Sequence, residues 1–363
     1  MAIIEKLHVA RFRNLNDQYL EPNKNINLIL GCNGQGKTNF IESLYYLGHS
    51  RSFKTKNIKD VIPFEKDRIQ INAIIDGEKV TLNKSKSKST IVIANEKITS
   101  NSLLSQHLPT QIISPDRGFV VGGTPKLKRS YLDWGVFHDN KEVLKTYKSY
   151  NKALKNINTI LTGNNQNQLE EWFSKFAFLS VEITQARINY IQKLTQILEE
   201  SPLLSLKSFV DSTKSLEFKL QTGWVKDVDS LNQNEIKKYL QNNKSSFIKT
   251  KHLGYGPHRA SIDFYLSKKN EGFLSRGEQK KLSIVFWMLQ VLVLAKDSSD
   301  PIVLIDDISS ELDQEKINSI LDFLTNLNIQ IFITDIGNKE LPLNPKKANI
   351  YHIKNGVITS VKV

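Results

Sequence analysis

One cysteine, two methionines and no long apolar run set the first limits on this chain of 363 residues. With Cys32 alone no intramolecular disulfide can form, which fits a reducing compartment such as the cytosol. The N-terminal Met1-Ala2-Ile3-Ile4-Glu5-Lys6 lacks a basic stretch followed by an apolar core, so no secretory signal is expected there. The longest nearly apolar stretch, Leu282 to Ala295, falls short of the roughly 20 residues that span a bilayer, and no membrane association is expected. Acidic residues are in deficit: 37 Asp and Glu against 50 Lys and Arg give a net charge of +13. That balance favours an acidic partner, of which nucleic acid is the commonest, over an acidic surface of the chain's own. Hydrophobic residues at 39% and charged residues at 24% are an ordinary globular composition, and the length suits about two domains.

Only 17 residues are glycine, yet three of them crowd into one stretch, Gly31-Cys32-Asn33-Gly34-Gln35-Gly36-Lys37-Thr38. This is the pattern G-x-x-x-x-G-K-[ST]. It follows the apolar run Ile26 to Leu30 and precedes Phe40, Ile41, Leu44, Tyr45 and Leu47 at helical spacing. Strand, loop and helix in that order make a phosphate-binding loop. Its backbone N–H groups wrap phosphate, and the helix directs its positive end to the same place. The whole run Gly31, Cys32, Asn33, Gly34, Gln35, Gly36, Lys37 and Thr38 is therefore the expected nucleotide cradle. Lys37 would reach the outer phosphates and Thr38 would offer its hydroxyl to Mg²⁺. Cys32 fills a free loop position.

Around this loop the chain reads in order. Ile3 to Phe12 is an expected strand, followed by the basic turn Arg11-Phe12-Arg13-Asn14-Leu15, which suits a nucleotide or DNA contact or a plain solvated turn. Ile69 to Ile75, Lys79 to Asn83 and Thr90 to Ala94 alternate with period two around Asp76-Gly77, as antiparallel strands do. From 136 the spacing turns helical, with a break at Gly163-Asn164-Asn165 that predicts a helical hairpin. Residues 203–222 read as a strand pair and 228–248 as a further helix. The expected organisation is an N-terminal ATPase-head part over 1–135, an inserted helical arm over 136–249 and a C-terminal head part over 250–363.

The C-terminal part carries two more motifs. Leu274-Ser275-Arg276-Gly277-Glu278-Gln279 precedes a long apolar helix. Ser275 and Glu278 fit a capping box, and the same Ser-x-Gly-Glu start suits the signature motif of ABC-type ATPases, with Ser275 and Gly277 facing a γ-phosphate. Pro301-Ile302-Val303-Leu304-Ile305 then ends in Asp306-Asp307. Asp306 fits the Mg²⁺-binding acid and Asp307 the group that positions the attacking water. The strand Gln330 to Thr334 ends at Asp335, expected to turn outward and cap the loop before Gly337.

The order of these motifs resembles the RecF family of bacterial recombination mediator ATPases, related to SMC-type heads. The resemblance runs nearly end to end. It rests on Phe12-Arg13-Asn14, the loop Gly31 to Thr38, Gly48-His49-Ser50-Arg51-Ser52-Phe53, Ser114-Pro115-Asp116 and Arg129 to His138. Gly256 to Arg259, Leu274 to Gln279 and Asp306 to Asp313 complete it. It departs from the family pattern at Lys128-Arg129, usually paired arginines, and at Ala260 and Ser261, where acids are common. The fold it implies is α/β: an ABC-type P-loop head with an antiparallel β patch and an inserted helical arm. It further implies a weak, DNA-stimulated ATPase using ATP and Mg²⁺, with Lys37 and Asp307 catalytic and Arg13 at the nucleotide. An ATP-dependent homodimer would act on double-stranded DNA and single-strand/double-strand junctions. With RecR and RecO it would help load RecA in DNA repair, replication and the SOS response. Arg51, Lys54, Lys56, Lys126, Lys128 and Arg129 are the expected DNA contacts. A transporter ATPase subunit shares the motifs but gives no reason for the helical insertion. An SMC-like protein needs a longer arm than the stretch between Lys37 and Ser275 allows.

Overall fold

A computed structural model of the chain describes residues 2–114, 118–163, 167–200, 209, 215–296, 301–337, 341 and 347–361. Its contacts gather into two compact units. One comprises residues 1–118, 201–211 and 284–363, and the other 119–200 and 212–283.

The first unit opens with β1 (Ile4–Ala10), β2 (Gln18–Leu20), β3 (Ile26–Leu30), α1 (Lys37–His49), β4 (Arg68–Ile75) and β5 (Glu78–Ser85). It continues with β6 (Ser89–Ile93), β7 (Glu96–Ile98), α2 (Asn101–His107) and β8 (Thr110–Ile113). The alternation in the sequence holds in space: Ile69, Ile71, Ala73 and Ile75 of β4 are buried and the residues between them are not. At the β4–β5 hairpin Asp76 and Gly77 both take positive φ, the backbone that matches the twist of the two strands. The resulting antiparallel sheet has the order β2-β1-β4-β5-β6-β7. Its buried side chains join Phe40, Ile41 and Leu44 of α1 in one core.

The second unit begins with α3 (Pro125–Asp139), α4 (Val143–Thr162) and α5 (Leu169–Glu200). It goes on through β9 (Leu216–Gln221), α6 (Gln233–Asn242), α7 (Lys244–Thr250), β10 (Ser261–Leu266), β11 (Lys269–Asn270) and α8 (Arg276–Lys296), inside which the division between units falls. Tyr150, Ala153, Ile157 and Leu161 recur on one face of α4 and pack with Leu169, Phe173 and Phe176 of α5 and Ile236 and Leu240 of α6. The expected hairpin is thus α4 and α5, and the expected helix over 228–248 is two, α6 and α7. Of the strand pair expected over 203–222, residues 203–208 and 210–214 lie outside the described residues, and β9 pairs with β10. The unit also starts earlier than residue 136, because α3 packs on β10: Tyr131 meets Phe264 edge-on and Arg129 donates to the Ala260 carbonyl.

The chain then returns to the first unit through β12 (Ile302–Ile305), α9 (Ile308–Glu311), α10 (Gln314–Asn326), β13 (Ile331–Asp335), β14 (Ala348–Lys354) and β15 (Val357–Val361). These complete a sheet of order β15-β14-β3-β13-β12-β8, parallel except for β15. Every residue of β12 and β13 is buried, as in a parallel sheet covered on both faces. Register sets Asp335 beside Leu30 and Ile305 beside Ile333, so the carboxyl ends of β3, β13 and β12 lie side by side. Open parallel sheets bind ligands at that edge.

Candidate active site

The phosphate loop leaves the end of β3 and runs into α1. Gly36 is the residue before the helix, with φ of 112°, a conformation that other residues enter only with strain. No side chain caps α1, so its first N–H groups are left for a ligand. Lys37 is buried, and its Nζ donates to the carbonyls of Gly31 (2.5 Å) and Cys32 (3.1 Å), which holds the ammonium inside the loop. Gln35 ties the loop to the β14–β15 turn: its carbonyl accepts from Gly356 N (3.0 Å) and its Oε1 from Asn355 N (2.7 Å). Cys32, Asn33 and Gly34 face solvent at the tip.

Beside the loop stand the two acids that follow β12. Asp306 is 4% exposed and lies under three hydroxyls. Thr334 Oγ1 donates to its Oδ1 at 2.8 Å, Ser114 Oγ lies 3.4 Å from Oδ2, and Thr38 stands close enough to act on the carboxylate. Burial raises the Asp306 pKa, opposed by the hydroxyls of Thr334 and Thr38 and by the charge of Lys54, while Asp307 adds to the rise. The same Thr334 hydroxyl accepts from Asp307 N at 2.8 Å. Thr38 and Asp306 present hard oxygen ligands of the kind Mg²⁺ takes, one hydroxyl and one carboxylate that leave further positions for phosphate and water. The donor set fits the ion.

Asp335 does cap its loop, Oδ2 accepting from Gly337 N at 2.9 Å, but it does not turn outward. It is fully buried, its main-chain carbonyl accepts from Gly31 N at 3.2 Å, and its Oδ1 has no hydrogen-bond partner among the described residues.

Two basic residues have specific carboxylate neighbours. Arg13 has positive φ (49°) and grips Glu42 with both Nε and Nη2, while Nη1 donates to the Asp60 carbonyl. Glu42 is fully buried on α1 and also accepts from Ser52. In this geometry Arg13 braces the phosphate-loop helix through Glu42. Lys54, grouped by sequence with surface cations, is exposed yet close enough to Asp306 for its charge to act on that carboxylate. Thr334, Ser114 and Glu42 were not identified as site residues from sequence, and Lys54 was expected at DNA and not beside Asp306. Thr334 and Ser114 each stand at the end of an apolar strand, and Ser114 also opens the motif Ser114-Pro115-Asp116.

In the second unit the signature turn forms a reciprocal capping box. Ser275 Oγ accepts from Glu278 N (3.3 Å), and Glu278 Oε2 accepts from Ser275 N (2.8 Å) and Oγ (2.9 Å). Gly277 is exposed in the first turn of α8, with open space where a side chain would start. Lys128 corrects the expected set of DNA contacts: it is buried and ion-paired with Glu271, which also accepts from Gly122 N at 2.6 Å. Arg129 is half-buried, whereas Arg51, Lys56 and Lys126 are exposed.

The RecF/RecN/SMC N-terminal domain model matches residues 3–359. The DNA replication and repair protein RecF of Psychromonas ingrahamii is 31% identical over 98% of this chain and 99% of its own length. That of Mannheimia succiniciproducens is 32% identical over 98% of each. A solved structure of "the recombination mediator protein RecF-ATP in RecFOR pathway" superposes with a TM-score of 0.85 at 25% identity, covering 99% of this chain and 98% of that one. The architecture is the ABC-type ATPase head, an α/β core with an antiparallel sheet, and the chain belongs to the RecF family.

Proposed function

We propose that this protein is an ATP-dependent, DNA-binding recombination mediator. It dimerises on ATP at gapped DNA, hydrolyses the nucleotide slowly, and acts with RecR and RecO to help load RecA in repair, replication and the SOS response. The observation that most supports a hydrolytic site is the bridge through Thr334, which holds both acids that follow β12 at the edge where the phosphate loop begins. Lys37 and the open N–H groups of α1 bind the phosphates. Thr38 and Asp306 hold Mg²⁺, which when bound neutralises phosphate charge. Asp307 orients the attacking water. Asp is one methylene shorter than Glu, and a catalytic group misplaced by about 1 Å can cost on the order of a hundredfold, which suits slow turnover. Ser275 and Gly277 of a second copy complete the site over the γ-phosphate.

Light scattering with and without ATP tests this reading. The wild type should become a dimer with ATP. Ser275→Arg should bind ATP and remain a monomer, and Asp307→Asn should be trapped as an ATP-bound dimer. An unchanged ATP-driven dimer in Ser275→Arg removes the proposed interface, and rapid hydrolysis by Asp307→Asn assigns the water to another group.

A further inference from the structure

The turn Gly256-Pro257-His258-Arg259 is held from many sides within the second unit. Gly256 has φ of 125°, and a side chain there would press on Tyr150 and Phe176. Gly256 N donates to the Gly223 carbonyl (3.0 Å), Arg187 Nη1 to the Pro257 carbonyl (2.7 Å), and Arg129 Nη1 to the Ala260 carbonyl (2.8 Å). His258 is fixed through both ring nitrogens, Nδ1 with Tyr150 Oη (2.8 Å) and Nε2 with the Leu253 carbonyl (3.1 Å). Arg187 is itself buried and bonded to Asp133, which Tyr147 also engages.

This scaffold carries Arg259 into solvent. One Nη2 donor of Arg259 meets His252 Nε2 at 3.0 Å, and the remaining guanidinium N–H groups point to no side-chain acceptor among the described residues. Arg129, Arg187 and Arg259 are close enough to interact, yet Asp133, already bonded to Arg187, is the one carboxylate among the described residues that acts on Arg129. Neither Arg129 nor Arg259 forms an ion pair among the described residues. Burial, and after it the charge of Arg187, lowers the Arg129 pKa, and Arg259 adds to that fall. A fold that spends a buried network on one turn, and gathers like charges around it, has prepared a place for an anion.

We propose that this turn is a phosphate clamp for nucleic acid, in which Arg259, oriented by His252 and backed by Arg129, takes a backbone phosphate of DNA. The proposal rests on the reading that the chain binds DNA and names the site. Nucleic acid suits the turn better than a lone phosphate. Tyr255, in the same loop, is an exposed aromatic held edge-on by Tyr239 at 5.4 Å, and rings beside cations are what a polynucleotide engages.

The test is fluorescence anisotropy of a labelled DNA duplex with the full chain and ATP over a salt series, for wild type, Arg259→Glu, Arg259→Lys and His252→Glu. Arg259→Glu should bind at least about tenfold more weakly, and its log–log salt slope should fall by about 0.9 for the lost phosphate contact. His252→Glu should weaken binding in the same direction, Arg259→Lys should recover most of the affinity, and all should keep the wild-type melting temperature. Wild-type affinity and slope in a folded Arg259→Glu overturn the clamp while leaving DNA binding in place. A wild type that does not bind the duplex overturns the underlying reading, and the clamp with it.

Discussion

The hydroxyl of Thr334 and the carboxylate of Asp306 lie 2.8 Å apart, although 28 residues separate them in the chain. Because the same hydroxyl accepts from Asp307 N, one side chain sets the spacing of both acids. Thr334→Val keeps the shape and removes the hydroxyl. It should cost about 1–3 kcal/mol of stability, from unmet hydrogen bonds on buried groups. Hydrolysis should fall tenfold or more, by the argument that about 1 Å of misplacement costs on the order of a hundredfold. Urea denaturation and single-turnover phosphate release measure the two effects. A Val variant turning over at the wild-type rate would show that Asp307 is positioned by other contacts.

Asp335 holds a buried carboxylate oxygen without a hydrogen-bond partner among the described residues, next to the phosphate loop. Asp335→Asn keeps an acceptor for Gly337 N and removes the charge. Stability should change by no more than about 1 kcal/mol, since the bond to Gly337 N is kept. Hydrolysis should stay within about threefold, a difference well under the 1.36 kcal/mol that a factor of ten represents. A tenfold loss in a folded variant would instead place the carboxylate in the reaction.

Lys128 should behave as a structural residue. Breaking its buried pair with Glu271 by Lys128→Met should destabilise the protein by about 3–5 kcal/mol. Lys128→Met with Glu271→Gln should recover part of that loss. DNA affinity of the folded double variant should match the wild type. A DNA defect without a fall in melting temperature would return Lys128 to the DNA surface.

Acid should weaken the second unit before the carboxylates titrate. Burial lowers His138 from 6.5 to about 3 and His258 from 6.5 to about 4, in each case first through desolvation. Below pH 6.5 the unfolded chain binds protons that the native histidines refuse. Their contribution is therefore complete above 6.5 and is lost as pH falls toward 4, at up to about 1.4 kcal/mol per pH unit for each histidine. Urea midpoints at pH 7, 6 and 5 should fall in that order, and His258→Gln should flatten the decline. A midpoint independent of pH in this range would mean that both rings protonate without cost.

Much of the site is contiguous in the chain, and contiguous patterns are legible. Gly31 to Thr38 sits between an apolar strand and a periodic helix, Ser275 and Glu278 are three residues apart, and Asp306-Asp307 closes a run of apolar β residues. Each arrangement follows from backbone geometry within one element or across one turn, so the amino-acid order alone fixed the phosphate loop, the capping box and the acid pair. The helical hairpin of α4 and α5 and the alternating strands β4 to β6 follow from periodicity in the same way.

Tertiary structure decided which distant groups share a position. Strand register brought Thr334 to Asp306, and Arg13 meets Glu42 across 29 residues and Lys128 meets Glu271 across 143. A basic residue has the same letter whether it is solvated, bracing a helix or neutralised in a core. Its role depends on the desolvation and the partner that folding supplies, and neither is encoded near it in the chain. That is why six cations grouped by sequence parted in space, Lys128 to a buried pair and Lys54 to the neighbourhood of Asp306. It is also why Arg259, in the sequence the last letter of the motif Gly256 to Arg259, takes its setting from the network that holds its turn.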